Sequence, residues 1–184
     1  MTQSGWVQQV LDFWFTEVKP EQWFAVDPAL DEQIRSRFLD LHAALKSQVP
    51  AEAREDARAA LAAIILFDQF PRNMFRGRRE AFATDSLACA LTRNAVEREF
   101  DQVLDKDERR FLYMPLMHSE ILADQEWGVS LFRSLDDPES LRYAIEHRDT
   151  IARFGRFPHR NQVLGRESTA EEEEFLRSAN RYGQ

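Results

Sequence analysis

The chain is predicted to be all-α from three observations: apolar residues recur at helical spacing, Asp-Pro pairs and an Asp-x-x-Glu box mark helix starts, and no segment alternates apolar and polar residues between hairpin turns. About eight helices are expected. The links between them are short, which favours antiparallel pairs packed in sequence, as in a bundle or a helical-repeat solenoid. Periodicity does not choose between the two.

Trp6, Val10, Phe13 and Trp14 define an opening helix, broken at Lys19-Pro20, with Trp23-Phe24 in the loop that follows. Asp27 caps the next helix and Pro28 takes its first position; Leu30, Ile34, Phe38, Leu41 and Leu45 form its apolar stripe. Pro50 starts a third, increasingly hydrophobic through Ala57, Leu61, Ile64, Ile65 and Phe67, which Pro71 is expected to end. Thr84-Asp85 reads as the cap of a helix carrying Leu87, Leu91 and Ala95. Asp105 and Glu108 make a capping box before Phe111 and Leu112, and Pro115 is expected to kink or divide that segment. Trp127, Val129, Leu131 and Phe132 mark a shorter helix with Gly128 as its weak point. Asp137-Pro138 repeats the cap-and-proline start for a helix through Leu141, Ile145, Ile151 and Phe154, ending near Gly155. Ser168, Thr169, Glu171 and Glu172 open a last helix, whose acidic run Glu171 to Glu174 reads as a solvated start favoured by the helix dipole.

At 184 residues the chain fits one domain, 1–184, with room for N-terminal and C-terminal helical subdomains sharing a core. Its 43% hydrophobic content, including fourteen Phe and four Trp, is enough apolar surface to exclude disorder. The single cysteine, Cys89, allows no internal disulfide and reads as a small buried hydrophobe suited to a reducing compartment. Met1 to Gly5 carry no signal-like region and no apolar run approaches membrane-spanning length, so a cytoplasmic location and no membrane partner are expected. The net charge of −8 argues against nucleic acid as a partner. Tryptophan or phenylalanine exposed near the N-terminus would suit a dimer patch, although burial explains these residues equally well; monomer and homodimer both stay open.

Only three of the 24 basic residues are lysines, so the positive charge is almost entirely guanidinium. Eight of the arginines fall around two similar segments, Phe67 to Gly77 and Phe154 to Arg166, each with Phe-Pro ahead of an Arg-Asn pair and a return to Gly beside Arg. Arginines on proline-fixed turns can grip carboxylate or phosphate through parallel hydrogen bonds. On that reading Arg72, Asn73, Arg76, Arg156, His159, Arg160, Asn161 and Arg166 line a site for an anionic small molecule or peptide. A plainer reading pairs the arginines with Asp68, Glu120, Asp124 and Glu126 and ties off helix-end carbonyls.

A third segment, Phe111 to Glu126, interrupts an aromatic, methionine-rich helix with polar residues. His118, Glu120, Asp124 and His159 are the candidates there and in the second Phe-Pro segment for acid–base work. The four histidines form no metal-binding pattern, so no metal is expected, and no glycine loop or nucleophile elbow implies a cofactor or a hydrolase. His147 shares a face with Tyr143, Ile151 and Phe154 and reads as a hydrogen-bonded core histidine; His42 reads as exposed or at a boundary.

Leu66 to Asn73 with Arg76-Gly77, Ala83-Thr84-Asp85, Met117 to Glu120 with Asp124-Gln125-Glu126, and Arg153 to Asn161 leading to Leu164-Gly165-Arg166 together resemble the bacterial family called domain of unknown function 924, over nearly the full length. The resemblance implies a tetratricopeptide-repeat-like helical fold without the repeat consensus, and no assigned activity. Two functions follow as expectations: a binding scaffold with an arginine-lined anion site, or an enzyme acting on a small anionic metabolite with His118 or His159 as acid and base.

Overall fold

In the computed structural model, residues 5–178 are described; Met1 to Ser4, part of the segment without a signal-like region, lie outside them. The described residues form helices and turns with no strand. The α-helices are α1 (Gly5–Asp12), α2 (Pro28–Ser47), α3 (Ala57–Ile64), α4 (Phe70–Met74), α5 (Asp85–Glu97), α6 (Lys106–His118), α7 (Leu122–Arg133), α8 (Pro138–Phe154), α9 (Asn161–Leu164) and α10 (Ala170–Ser178).

Three of the starts read from the sequence are observed with their caps, whereas Pro50 opens only a 3-10 turn, Ala51–Arg54, and α3 starts at Ala57, where Asp56 accepts from the Ala59 amide. Asp27 accepts from the Ala29 and Leu30 amides, Asp105 and Glu108 close a reciprocal box, and Asp137 accepts from the Ser140 amide. Gly155 ends α8 in the left-handed conformation, φ +68°, which costs glycine least. Thr169 and Glu172 form a further reciprocal cap at α10.

Helix α3 is nearly all alanine, leucine and isoleucine, and every residue from Ala59 to Ile64 is buried. A helix apolar all round needs cover on several sides, and its small side chains let neighbours approach; α1, α5 and α6 pack around it. From α5 to α8 each helix packs on the next, α5 on α6, α6 on α7 and α7 on α8, as short links favour. The first half does not follow chain order, since α2 packs on α4 and α1 on α3. Gly128 has a packing role in this stack: a Cβ there would lie 3.3 Å from Leu116 Cβ, so its absence lets α7 close on α6.

Several expectations are corrected. Pro71 does not end the third helix. The chain widens into a π-turn at Ile65–Gln69 and continues as α4 with Pro71 inside it. The Phe67 carbonyl, four residues before the proline, accepts instead from the Thr84 hydroxyl at 2.6 Å, so Thr84 makes no side-chain cap for α5. Pro115 does not divide its segment either, because α6 has only one more turn to run. His42 is buried, at the end of the row Leu30, Ile34, Phe38, His42, with its ring against Phe67 and Phe75. Glu172 is buried rather than solvated, held by Arg156 and Asn161. Phe13 and Trp14 are core residues, leaving Phe24 as the exposed aromatic of this region.

Candidate functional site

The π-turn buries all five of its residues, which brings Asp68 and Gln69 inward with Ile65, Leu66 and Phe67. Asp68 has no solvent exposure. His118, the last residue of α6, places Nδ1 2.8 and 2.9 Å from the two Asp68 carboxylate oxygens. Its position is set by the α6–α7 corner. There Gln125 donates to the Met117 and Ser119 carbonyls, and Asp124 accepts from Ser119 Oγ and from Arg93.

From Asp68 the ion pairs run on. Arg72, one turn along, lies 3.3 Å from the Asp68 carboxylate and donates to its backbone carbonyl. The same guanidinium makes two parallel 3.0 Å bonds to Asp85, at the start of α5. Asp85 in turn takes one 3.3 Å contact from Arg160 Nη1. A single chain of charges thus joins His118, Asp68, Arg72, Asp85 and Arg160, drawn from four separate parts of the sequence.

Arg160 is the least satisfied member. It is 6% exposed, its guanidinium lies 4.6 and 4.5 Å from the Phe82 and Phe157 ring centroids, and its Nε has no hydrogen-bond partner. Burial pulls its pKa down to about 10, only partly countered by Asp85, and it stays cationic at neutral pH. Burial would raise the Asp68 pKa, but Arg72 and then His118 outweigh it and hold the carboxyl below the usual range. Burial and Arg72 lower the His118 pKa despite Asp68. An ionised Asp68 only accepts, so Nδ1 of His118 carries the proton and Nε2 the lone pair. Burial first, then the His118 ring for His147 and the Arg160 guanidinium for His159, takes both down to about 3.

The histidines and arginines of this group, though not Asp68 or Asp85, line a cavity of about 510 Å³ between α4, α6, α8, the second Phe-Pro segment and the loop carrying Trp23 and Phe24. His118, His147, His159, Arg72 and Arg160 form one wall; Trp23, Phe24, Met114 and Met117 contribute apolar surface; Arg110, Asp137 and Ser140 edge the start of α8.

Of the residues singled out in the sequence, Arg72, Asn73, Arg76, His118, His159 and Arg160 line this cavity, so the two Phe-Pro segments meet on it. Asn73 and Arg76 both hold Asp31 of α2. The others lie elsewhere and bind one another: Arg166 grips Glu120 through two bonds and also reaches Asn161, Glu120 accepts from the Phe157 amide, and Arg156 grips Glu172. Asp124 serves the α6–α7 corner. His147 bonds the Tyr143 carbonyl as a core histidine does, and also faces the cavity. Asp85 and Phe82 were not legible as site residues; the Ala83-Thr84-Asp85 string in the family resemblance touches Asp85, and nothing in the sequence marks Phe82. Among the described residues no group of three His, Cys, Asp or Glu is placed to hold a metal ion, and no helix is long and apolar enough to cross a membrane.

Among functionally curated proteins none matches the chain. A protein of unknown function from Agrobacterium tumefaciens, ATU0120, has a similar solved structure, with 40% identity, a TM-score of 0.89, and 94% of this chain and 97% of that chain covered. The family described as "Bacterial protein of unknown function (DUF924)" matches residues 10–180. The chain belongs to this DUF924 family.

Proposed function

We propose that the cavity binds a small anionic ligand, a carboxylate or a phosphate, anchored by Arg160. The observation that carries this reading is the state of that arginine: a cation more than nine-tenths buried, with one 3.3 Å carboxylate contact and an unpartnered Nε, on the wall of the cavity. Arg72 is matched by Asp68 and Asp85, Arg76 by Asp31, and Arg110, whose Nε also lacks a partner, by Asp107 and Asp137, so none of them has comparable charge to spare. A buried cation left under-compensated is costly, and an anion arriving beside it recovers that cost. The volume suits a small molecule, since such sites run ~300 to 1,000 Å³. The tetratricopeptide-like description of the scaffold rests on the sequential packing of α5 to α8.

The test is a thermal-shift screen of carboxylates and phosphates against the wild type and Arg160→Gln. A ligand at ~100 times its dissociation constant adds ~2.7 kcal/mol, a rise easily read. The rise should vanish in the variant; a rise of equal size in both would refute the anchor.

A second reading, an enzyme acting on that anion, is favoured by the Asp68–His118 contact. Asp68 orients the ring, and the lowered pKa keeps Nε2 unprotonated near neutral pH, as a general base requires. Under this reading a turnover screen of anionic metabolites finds activity that His118→Gln abolishes while ligand binding persists. Activity surviving in His118→Gln would leave the binding reading alone.

A further inference from the structure

Beside the charged groups, the cavity lining is aromatic and thioether: Trp23, Phe24, Met114 and Met117. Phe24 is 60% exposed although it lines the cavity, and its ring stacks on Phe111 at 6.1 Å between centroids. Trp23 beside it packs edge-on against the same Phe111 and donates its indole N–H to the Trp14 carbonyl, which fixes this part of the loop. Met114 approaches Gln69 through its sulfur at 3.3 Å, and so stands between the apolar surface and the Asp68 end. Two carboxylates line the cavity at the start of α8: Asp137 is occupied by Arg110 and Ser140, and Glu139 is solvent-exposed.

We infer that the ligand is two-ended: a carboxylate or phosphate head on Arg160, and a flat aromatic or short acyl body lying against Phe24, Trp23 and Met114. This deepens the anion reading above and depends on it. Charge complementarity places the head, because Arg160 is the under-compensated cation of the cavity. Phe24 places the body. A large ring held open at a cavity mouth loses apolar hydration when an apolar group covers it, at ~25 cal/mol per Å², and methionine sulfur adapts to varied shapes. An inorganic anion would occupy the Arg160 end and leave this wall bare.

The experiment is calorimetric titration of the full chain with two head-only probes, acetate and inorganic phosphate; two two-ended probes, phenylpropionate and phenyl phosphate; and a body-only probe, phenylpropanol. Each two-ended probe should bind about ten-fold more tightly than the matching head alone, as burial of one ring predicts at the low end. Phenylpropanol should bind more weakly than phenylpropionate. Phe24→Ala should remove most of the ten-fold gain and leave acetate and phosphate as they were, while Phe24→Tyr, which keeps the ring, restores it. Phe24 is exposed, so truncation spares the fold. If acetate and phosphate bind but the two-ended probes bind no tighter, or if Phe24→Ala changes nothing, the ligand class is wrong and the anion site stands. If phenylpropanol binds as well as phenylpropionate, or no anion binds at all, the anchor on Arg160 fails and this inference falls with it.

Discussion

Asp68 accepts the Nδ1 proton of His118 through both carboxylate oxygens, at 2.8 and 2.9 Å, from a position with no access to solvent. The pair joins the π-turn after α3 to the last residue of α6, two elements that local sequence gives no reason to place together. Arg72, 3.3 Å from the carboxylate, balances its charge, and burial together with this guanidinium lowers the proton affinity of the histidine.

Removing Asp68 leaves Arg72 and His118 buried without it. Asp68→Ala should cost ~3 to 5 kcal/mol in urea unfolding, the range for breaking a buried pair by deleting one partner. Asp68→Asn keeps the shape and removes the charge. Because the Asp68 charge raises the His118 pKa, its loss should move the imidazole further down, which an NMR titration reads directly. An unchanged His118 titration would mean that the contact does not set its proton affinity.

Arg160 and Arg166 should respond differently to the same replacement. Arg160→Met removes a poorly matched buried cation while Asp85 keeps both bonds from Arg72, so stability should change by less than ~1 kcal/mol. Arg166→Met leaves Glu120 with only the Phe157 amide as partner and should cost ~1 to 2 kcal/mol. Paired denaturation curves check the contrast. Equal losses would show Arg160 to be a structural ion-pair member.

Acid should destabilise the protein before its carboxylates titrate. Burial, then Lys46, lowers the His42 pKa from 6.5 to about 4, and His147 and His159 fall to about 3. Between those values and 6.5 the unfolded chain binds protons that the folded chain refuses, so stability is full above pH 6.5 and declines as pH drops toward 4 and 3. His42 alone should account for about 3 kcal/mol. His42→Leu should flatten the melting-temperature profile between pH 6.5 and 4; an unaltered slope would mean that His42 titrates normally.

Thr84 serves the carbonyl that Pro71 leaves without an amide. Thr84→Val, nearly isosteric, should cost ~1 to 2 kcal/mol because the buried Phe67 carbonyl loses its donor, and Thr84→Ser should recover most of it. Equal stability of the valine and serine variants would show that the hydroxyl is dispensable.

By itself the sequence determined the helical class, the starts at Asp27, Asp105 and Asp137, and the stop at Gly155. Each depends on groups within one turn of the backbone, where spacing in the chain is spacing in space. It also marked the two Phe-Pro segments as unusual. Tertiary structure alone decided which of their arginines face a cavity and which are bound to carboxylates, because a guanidinium's partner is usually remote: Arg160 meets Asp85 75 residues away, and Arg166 meets Glu120 46 away. The same remoteness hid Asp85 behind an apparent cap and placed His42 in the core, since a stripe shows which residues share a face and not how far the neighbouring helices extend over it. The π-turn that buries Asp68 could be read only in the fold, where Thr84 replaces the donor missing at Pro71.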